Sequence, residues 1–204
     1  KNGFVMQRFI NPNPDQWKAL AQRGSASYTS LEPLAKEVFD NVAQNGDQAL
    51  MNYTEKFDKV KLKDFSVSTE EIEDAKARVP EKLKLAIRKA KDNIYRFHMA
   101  QKTNEVNVET QKGVNCWQKK LPIEKVGLYI PGGSAPLFST ILMLAIPAQV
   151  AGCSEVVMCS PPNSNGMLPD VILYAANLCG VDNIFKLGGM QAIAGMTLGT
   201  ATLP

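Results

Sequence analysis

Histidine is almost missing from this chain: among 204 residues there is one, His98. A site that needs two histidines, whether a His-rich zinc centre or a His pair for proton transfer, cannot be completed within it. Paired cysteines are missing too. Cys116, Cys153, Cys159 and Cys179 include no two at C-x-x-C spacing, so neither a zinc ribbon nor a thioredoxin-type redox pair is indicated. With nothing pointing to secretion, the four thiols read as packing residues in a reduced compartment. Long apolar runs are also lacking. The longest, Ile141-Leu142-Met143-Leu144-Ala145-Ile146-Pro147-Ala148, falls far short of the ~20 residues of a membrane span. The first residues, Lys1 to Met6, carry no long apolar region and no cleavage site. The expectation is a soluble, cytoplasmic protein with no membrane partner.

Charge is nearly balanced. Lys plus Arg is 23, Asp plus Glu is 20, and the formal net charge is +3, too weak a field to argue for a nucleic-acid partner. Hydrophobic residues are 45% and charged residues 21%. That is ordinary globular composition and excludes disorder, collagen and a coiled coil. The length allows one large domain or two small ones.

Along the chain, residues 1–30 read as a lead-in. Pro14 is placed to open a short helix through about Arg23, and Gly24-Ser25-Ala26-Ser27 reads as a linker. Residues 31–118 read as a helical region closed by a hairpin. Leu31, Leu34, Ala35, Val38 and Val42 recur with helical period, with Pro33 in the first turn and Gly46 as a stop. Asp47 can cap a second helix carrying Leu50, Tyr53 and Phe57. Ser68-Thr69-Glu70-Glu71 fits a capping box. A longer helix runs from about Pro80 to Lys102, with Lys82, Arg88, Lys89, Lys91 and Arg96 on a face that reads as solvated. Residues 106–111 and 114–118 flank Lys112-Gly113 as a β-hairpin.

Residues 119–204 change character. Strands at 126–130, 155–160 and 183–187 alternate with helices at 139–151, 168–179 and 191–198, which predicts a parallel sheet. Ligands of such sheets bind beyond the carboxyl ends of the strands. Two turns lie there. Pro131-Gly132-Gly133-Ser134 allows close approach of backbone to ligand, and the helix that follows offers free N–H groups suited to phosphate. Gly188-Gly189-Met190-Gln191 places an amide where it can bond a ribose or pyrophosphate. Tyr129, ending its strand, can stack on a base or donate its hydroxyl. Each pattern alone is equally a plain strand-to-helix turn, an exposed helix-start residue or a half-buried strand aromatic. The G-x-G-x-x-G fingerprint is absent. His98 reads as a surface or partly packed residue. No nucleophile with a base and no metal-ligand set can be nominated.

The stretch Val126-Gly-Leu-Tyr-Ile-Pro-Gly-Gly-Ser-Ala-Pro-Leu-Phe-Ser-Thr140 closely resembles histidinol dehydrogenases. The resemblance continues through Cys159-Ser-Pro-Pro162, Leu178-Cys-Gly-Val181 and Gly188-Gly-Met-Gln-Ala-Ile-Ala194. Upstream it takes in Gly46-Asp-Gln-Ala-Leu50, Lys56-Phe-Asp58 and Phe97-His-Met-Ala-Gln-Lys102. It implies an α/β fold: a helical N-terminal region followed by a Rossmann-like parallel sheet domain related to the aldehyde-dehydrogenase-like fold. It implies oxidation of L-histidinol to L-histidine through the aldehyde with two NAD, at the end of histidine biosynthesis, by a zinc-dependent homodimer. By position, Tyr129 and Gln191 match family residues that contact NAD, and Gly132 and Gly133 would shape the turn beneath it. Met190 stands where the family often has Ala, and residues 163–168 look like a loop insertion.

The family's chain is roughly twice as long, and its zinc ligands, substrate contacts and catalytic Glu-His pair match no position here. The expectation is therefore the N-terminal half of such an enzyme, inactive alone and prone to self-association through uncovered apolar surface. Two alternatives stay open: a stand-alone nucleotide-binding or regulatory module without catalysis, and another aldehyde-dehydrogenase-like protein.

Overall fold

The computed structural model describes residues 8–22, 28–133 and 135–204. They form two compact units, residues 1–34 and 35–204. In the first, helix α1 (Pro14–Ala21) opens on Pro14, where the missing N–H costs nothing. Gln16 Oε1 accepts the Asn13 N–H at 3.0 Å, and the Trp17 indole N–H donates to the Pro12 carbonyl at 3.0 Å. The expected Gly24–Ser27 linker lies outside the described residues.

The larger unit takes up the chain within α2 (Glu32–Tyr53), which buries Val38, Val42, Ala49, Leu50 and Tyr53. The break expected at Gly46 is present as a kink, with φ 51° and ψ −129°, a conformation glycine adopts without steric cost. Asp47 does not cap a new helix. Its carboxylate instead accepts from the Thr202 hydroxyl at 2.7 Å, tying α2 to the far end of the unit. After Tyr53 the helix widens into one π-helical turn (Thr54–Asp58), ended by Lys59 in the left-handed region at φ 61°. The Thr54 hydroxyl donates back to the Leu50 carbonyl at 2.8 Å. The ring of Phe57, half out in solvent, stacks on Tyr53 at 5.5 Å.

Helix α3 (Thr69–Arg78) has the expected capping box, the Ser68 hydroxyl accepting from Glu71 N–H and Glu71 accepting from Ser68 N–H. Helix α4 (Glu81–Ala100) carries the basic face, but Lys91 leaves it to donate to the Leu178 carbonyl at 2.7 Å. The hairpin of β1 (Val106–Gln111) and β2 (Val114–Gln118) forms as expected, with a bulge between Glu109 and Gln111, and is exposed along both strands.

The sheet is parallel, in the order β3 (Lys125–Tyr129), β4 (Glu155–Cys159), β5 (Asn183–Phe185). Residues 65–67 add an antiparallel bridge at the β5 edge, with Val67 N–H bonded to the Ile184 carbonyl and Lys186 N–H to that of Phe65. Helix α5 (Phe138–Ala151) follows β3, α6 (Asp170–Leu178) follows β4, and α7 (Gly189–Leu198) follows β5. Leu128 and Met158 join a core with Ile141, Leu142, Ile172 and Leu173, to which α3 and α4 contribute Ile72 and Ile87. Successive strand side chains face opposite ways. Gly127, next to Leu128, therefore meets α7 on the other face. A Cβ there would stand 2.6 Å from Met196 Sδ. Helix α7 also packs on Leu50 of α2 at Gly195.

The helical region and the sheet thus share one packed unit. The packing reading of the cysteines holds for Cys159 and Cys179, which are buried, and not for Cys116, which is exposed on β2. Burial pushes the Cys159 thiol up to about 12 and Cys179 to about 11, so neither is a thiolate near neutrality.

Candidate functional site

Parallel strands end together, so the three loops that leave their carboxyl ends converge. Here they enclose a cavity of about 590 Å³, within the range of small-molecule sites. Tyr129, Gly132 and Gly133 come from the β3 loop, Ser160 and Pro161 from the β4 loop, and Gly189 from the β5 loop. Asp58, at the end of the π-helical turn, closes one side.

Each wall has a local reason. Gly132 lets the β3 loop pass against the β4 loop, since a Cβ there would stand 2.5 Å from Pro161 Cγ. Gly133 faces open space, with nothing within 4 Å of its Cβ position. A Cβ at Gly188 would stand 2.6 Å from Pro161 Cβ and 2.9 Å from Asp58 Oδ1. Gly189 takes φ 57° and donates its N–H to the Tyr129 hydroxyl at 3.0 Å. Helix α5 starts beside the cavity with no side-chain cap on its first turn; Thr140 N–H bonds the Leu137 carbonyl, and the positive end of the helix dipole favours an anion there. Residues 163–168 form a compact loop on the rim. The Asn163 carboxamide oxygen accepts from the N–H of Asn165 at 2.9 Å and of Met167 at 3.1 Å.

The sequence-predicted residues divide here. Tyr129, Gly132 and Gly133 line the cavity; Gln191 does not. Far from an exposed helix-start residue, Gln191 is completely buried. Its Nε2 donates to Asp58 Oδ2 at 3.2 Å. Its Oε1 lies over Gly189, where a Cβ would come within 2.7 Å, and has no hydrogen-bond partner. It therefore reaches the cavity through Asp58.

Asp58 is the residue that sequence reasoning missed. Burial pushes its carboxyl above the ordinary aspartate value of 3.8, as desolvation does to any acid lacking a cation. No Lys or Arg lines the cavity among the described residues. The lysines beside Asp58 are turned away. Lys56 lies over the Tyr53 and Phe57 rings, and Lys59 donates to the Lys56 carbonyl. The only signal in the sequence was the stretch Lys56-Phe-Asp58, which carried a resemblance but no role.

His98 is remote from this cavity, hydrogen-bonded through Nδ1 to Gln101 Oε1 at 2.7 Å at the end of α4. Among the described residues no three His, Cys, Asp or Glu side chains are grouped to hold a metal, and no helix is long and apolar enough to cross a membrane.

A three-stranded parallel sheet flanked by helices, with its cavity across the strand ends, defines a Rossmann-like α/β protein. Comparison with known proteins narrows that class. The chain belongs to the histidinol dehydrogenase family, whose model matches residues 21–204. It is 49% identical over 200 residues to a histidinol dehydrogenase of Bacteroides thetaiotaomicron, covering 98% of this chain and 47% of that one. It is 50% identical over 193 residues to the histidinol dehydrogenase of Salmonella typhimurium, covering 94% of this chain and 44% of that one. The crystal structure of histidinol dehydrogenase from Elizabethkingia anophelis superimposes with a TM-score of 0.92 at 50% identity, over 98% of this chain and 46% of that one. The chain thus spans less than half the length of these relatives.

Proposed function

We propose that this chain carries the dinucleotide-binding part of an enzyme that oxidises L-histidinol to L-histidine through the aldehyde, in two NAD-dependent steps at the end of histidine biosynthesis. The observation that carries the reading is the cavity built on Tyr129, the Gly132-Gly133 turn and the uncapped first turn of α5. A diphosphate fits the start of α5, which no side chain caps, and Tyr129 fits a ring or hydroxyl of the nucleotide. NAD, when bound, supplies the hydride acceptor. In this reading the chain's own residues bind and orient it. Tyr129 is held by the Gly189 N–H. Gln191 acts from behind Asp58. Gly132 keeps the turn low enough for backbone contact.

Zinc belongs to the proposal through the family alone. The described residues offer no donor set for it, and none of the binding roles above depends on it. The complete enzyme is proposed to be a cytoplasmic homodimer. The 204-residue chain is expected to bind NAD weakly and to turn nothing over. Protein-observed NMR during an NAD titration tests the first part. Shifts confined to residues around Tyr129 and Gly189 are expected, and their absence at millimolar NAD overturns the dinucleotide reading. An assay with histidinol, NAD and zinc tests the second. NADH formed by this chain alone would refute it.

A further inference from the structure

We infer that Asp58 is the hydroxyl-reading residue of the cavity: its carboxylate accepts hydrogen bonds from a vicinal diol of the bound nucleotide and turns away a phosphate at that position. The inference rests on the dinucleotide reading and specifies it.

Four observations support it. Asp58 is the one charged side chain among the described residues that line the cavity. An acid with no cation beside it is under-satisfied, and hydroxyl donors are its natural ligands. A phosphate would bring like charge into the same partly desolvated space. Second, the carboxylate is aimed. Gln191 Nε2 donates to Oδ2 at 3.2 Å, and Oδ1 packs against Gly188, where a Cβ would stand 2.9 Å from it. From this position Asp58 lines the cavity.

Third, the aiming has a visible cost. With its nitrogen committed to Asp58, the Gln191 carboxamide leaves Oε1 fully buried and unpartnered. A buried polar atom without a partner calls for an explanation. Orientation of a binding carboxylate supplies one. Fourth, Asp58 arrives by a local departure from α-helix, the π-helical turn that Lys59 ends with a positive φ. Such turns recur at functional sites.

Sugar-reading by an acid is the familiar logic of dinucleotide sites. Here the acid comes from the helical region that precedes the sheet, not from a strand end.

The test is NMR titration of the 204-residue chain with NAD and, separately, NADP, in wild type, Asp58→Asn and Asp58→Ala. Wild type is expected to prefer NAD by at least about tenfold, as like-charge exclusion implies. Asp58→Asn keeps one acceptor oxygen for Gln191, offers a ligand hydroxyl an amide N–H in place of the second carboxylate oxygen, and removes the charge, so the preference should collapse while NAD binding falls only a few-fold. Asp58→Ala should lose most NAD binding. Spectra of the ligand-free variants establish that each is folded. If wild type binds NAD but the NAD:NADP ratio is the same in all three proteins, this inference is overturned and the dinucleotide reading stands. If wild type binds neither dinucleotide, both fall.

Discussion

Gln191 and Asp58 lie 133 positions apart and meet at 3.2 Å behind the cavity wall. One belongs to the helix after β5, the other to the helical region before the sheet. The contact means that the helical region is part of the site, not a lead-in to it. It also sets two demands against each other at Asp58. Burial penalises the charge, while ligand recognition needs it. Such opposition between stability and function is common at sites.

The opposition is measurable. The folded chain holds the Asp58 proton more tightly than an unfolded chain with its ordinary value of 3.8. A raised folded pKa gives a contribution to stability that is complete below the unfolded value and is lost as pH rises through the folded one. Asp58→Asn cannot lose it, and it retains an acceptor for Gln191. The variant is expected to melt higher than wild type near neutrality, with the gap closing below the ordinary value of 3.8. Thermal melts between about pH 3 and about pH 7 read this directly. A gap that is constant with pH would show that Asp58 carries no burial penalty.

The two glycines of the β3 loop are expected to part company. Gly132→Ala puts a methyl 2.5 Å from Pro161 Cγ. Overpacking of that kind costs about 1–3 kcal/mol. The displaced Pro161 also lines the cavity, so NAD binding should weaken. Gly133→Ala meets nothing within 4 Å and should change stability by no more than about 0.5 kcal/mol. Urea unfolding of the two variants, followed by NAD titration, separates them. Equal losses would mean that the loop is not pinned by Pro161.

These positions also mark how far the sequence could be read. The β3, β4 and β5 strands with their helices were legible because apolar runs alternate with helical periods, and boundaries fell within a few residues. The α3 capping box was legible because its partners are three residues apart. Tyr129 and the glycine turns followed from the rule that ligands sit at strand ends. Asp58 was not legible as a wall of the cavity, because that depends on a contact between distant segments and on a π-helical turn with no periodicity signature. The burial of Gln191 was missed for a related reason. Its amide folds over Gly189, and only the missing Cβ there makes room. Asp47 looked like a cap by local rule but bonds Thr202, 155 positions away.

The hairpin gives an expectation about association. Trp117 is 69% exposed, and beyond β2 Leu121 and Ile123 are 73% and 71% exposed. Val106 and Val108 are exposed on the hairpin face opposite Trp117, and Val114 is exposed as well. Exposed apolar surface drives association, so sedimentation of the 204-residue chain should show concentration-dependent oligomers. Trp117→Ser combined with Ile123→Ser should shift the chain toward monomer. A clean monomer for wild type across a wide concentration range would refute the expectation.

A partly buried ion pair, Glu71 with Lys186, ties the helical region to the sheet. Lys186 follows β5 and is 8% exposed. Its ammonium donates to both oxygens of Glu71, at 2.7 and 3.0 Å. Glu71 meanwhile closes the α3 capping box with Ser68. Burial pushes the Glu71 carboxyl up, but the Lys186 and Ser68 hydrogen bonds outweigh it and hold it below its ordinary 4.5. A depressed folded pKa contributes stability that is present above the unfolded value and lost as pH falls through the folded one. Wild type should therefore lose stability on acidification below 4.5. Glu71→Ala strands a buried ammonium and opens the cap, at about 3–5 kcal/mol. Lys186→Met removes the charge and keeps the stem volume, leaving Glu71 on the cap. It should cost less and flatten the acid limb of the stability curve. Urea unfolding across that pH range decides the matter. If Lys186→Met costs as much as Glu71→Ala, the pair contributes through attraction itself. If it costs little, the penalty in Glu71→Ala belongs to the stranded charge, and the bridge serves to set the register of α3 against β5 beside the Gly188-Gly189 turn.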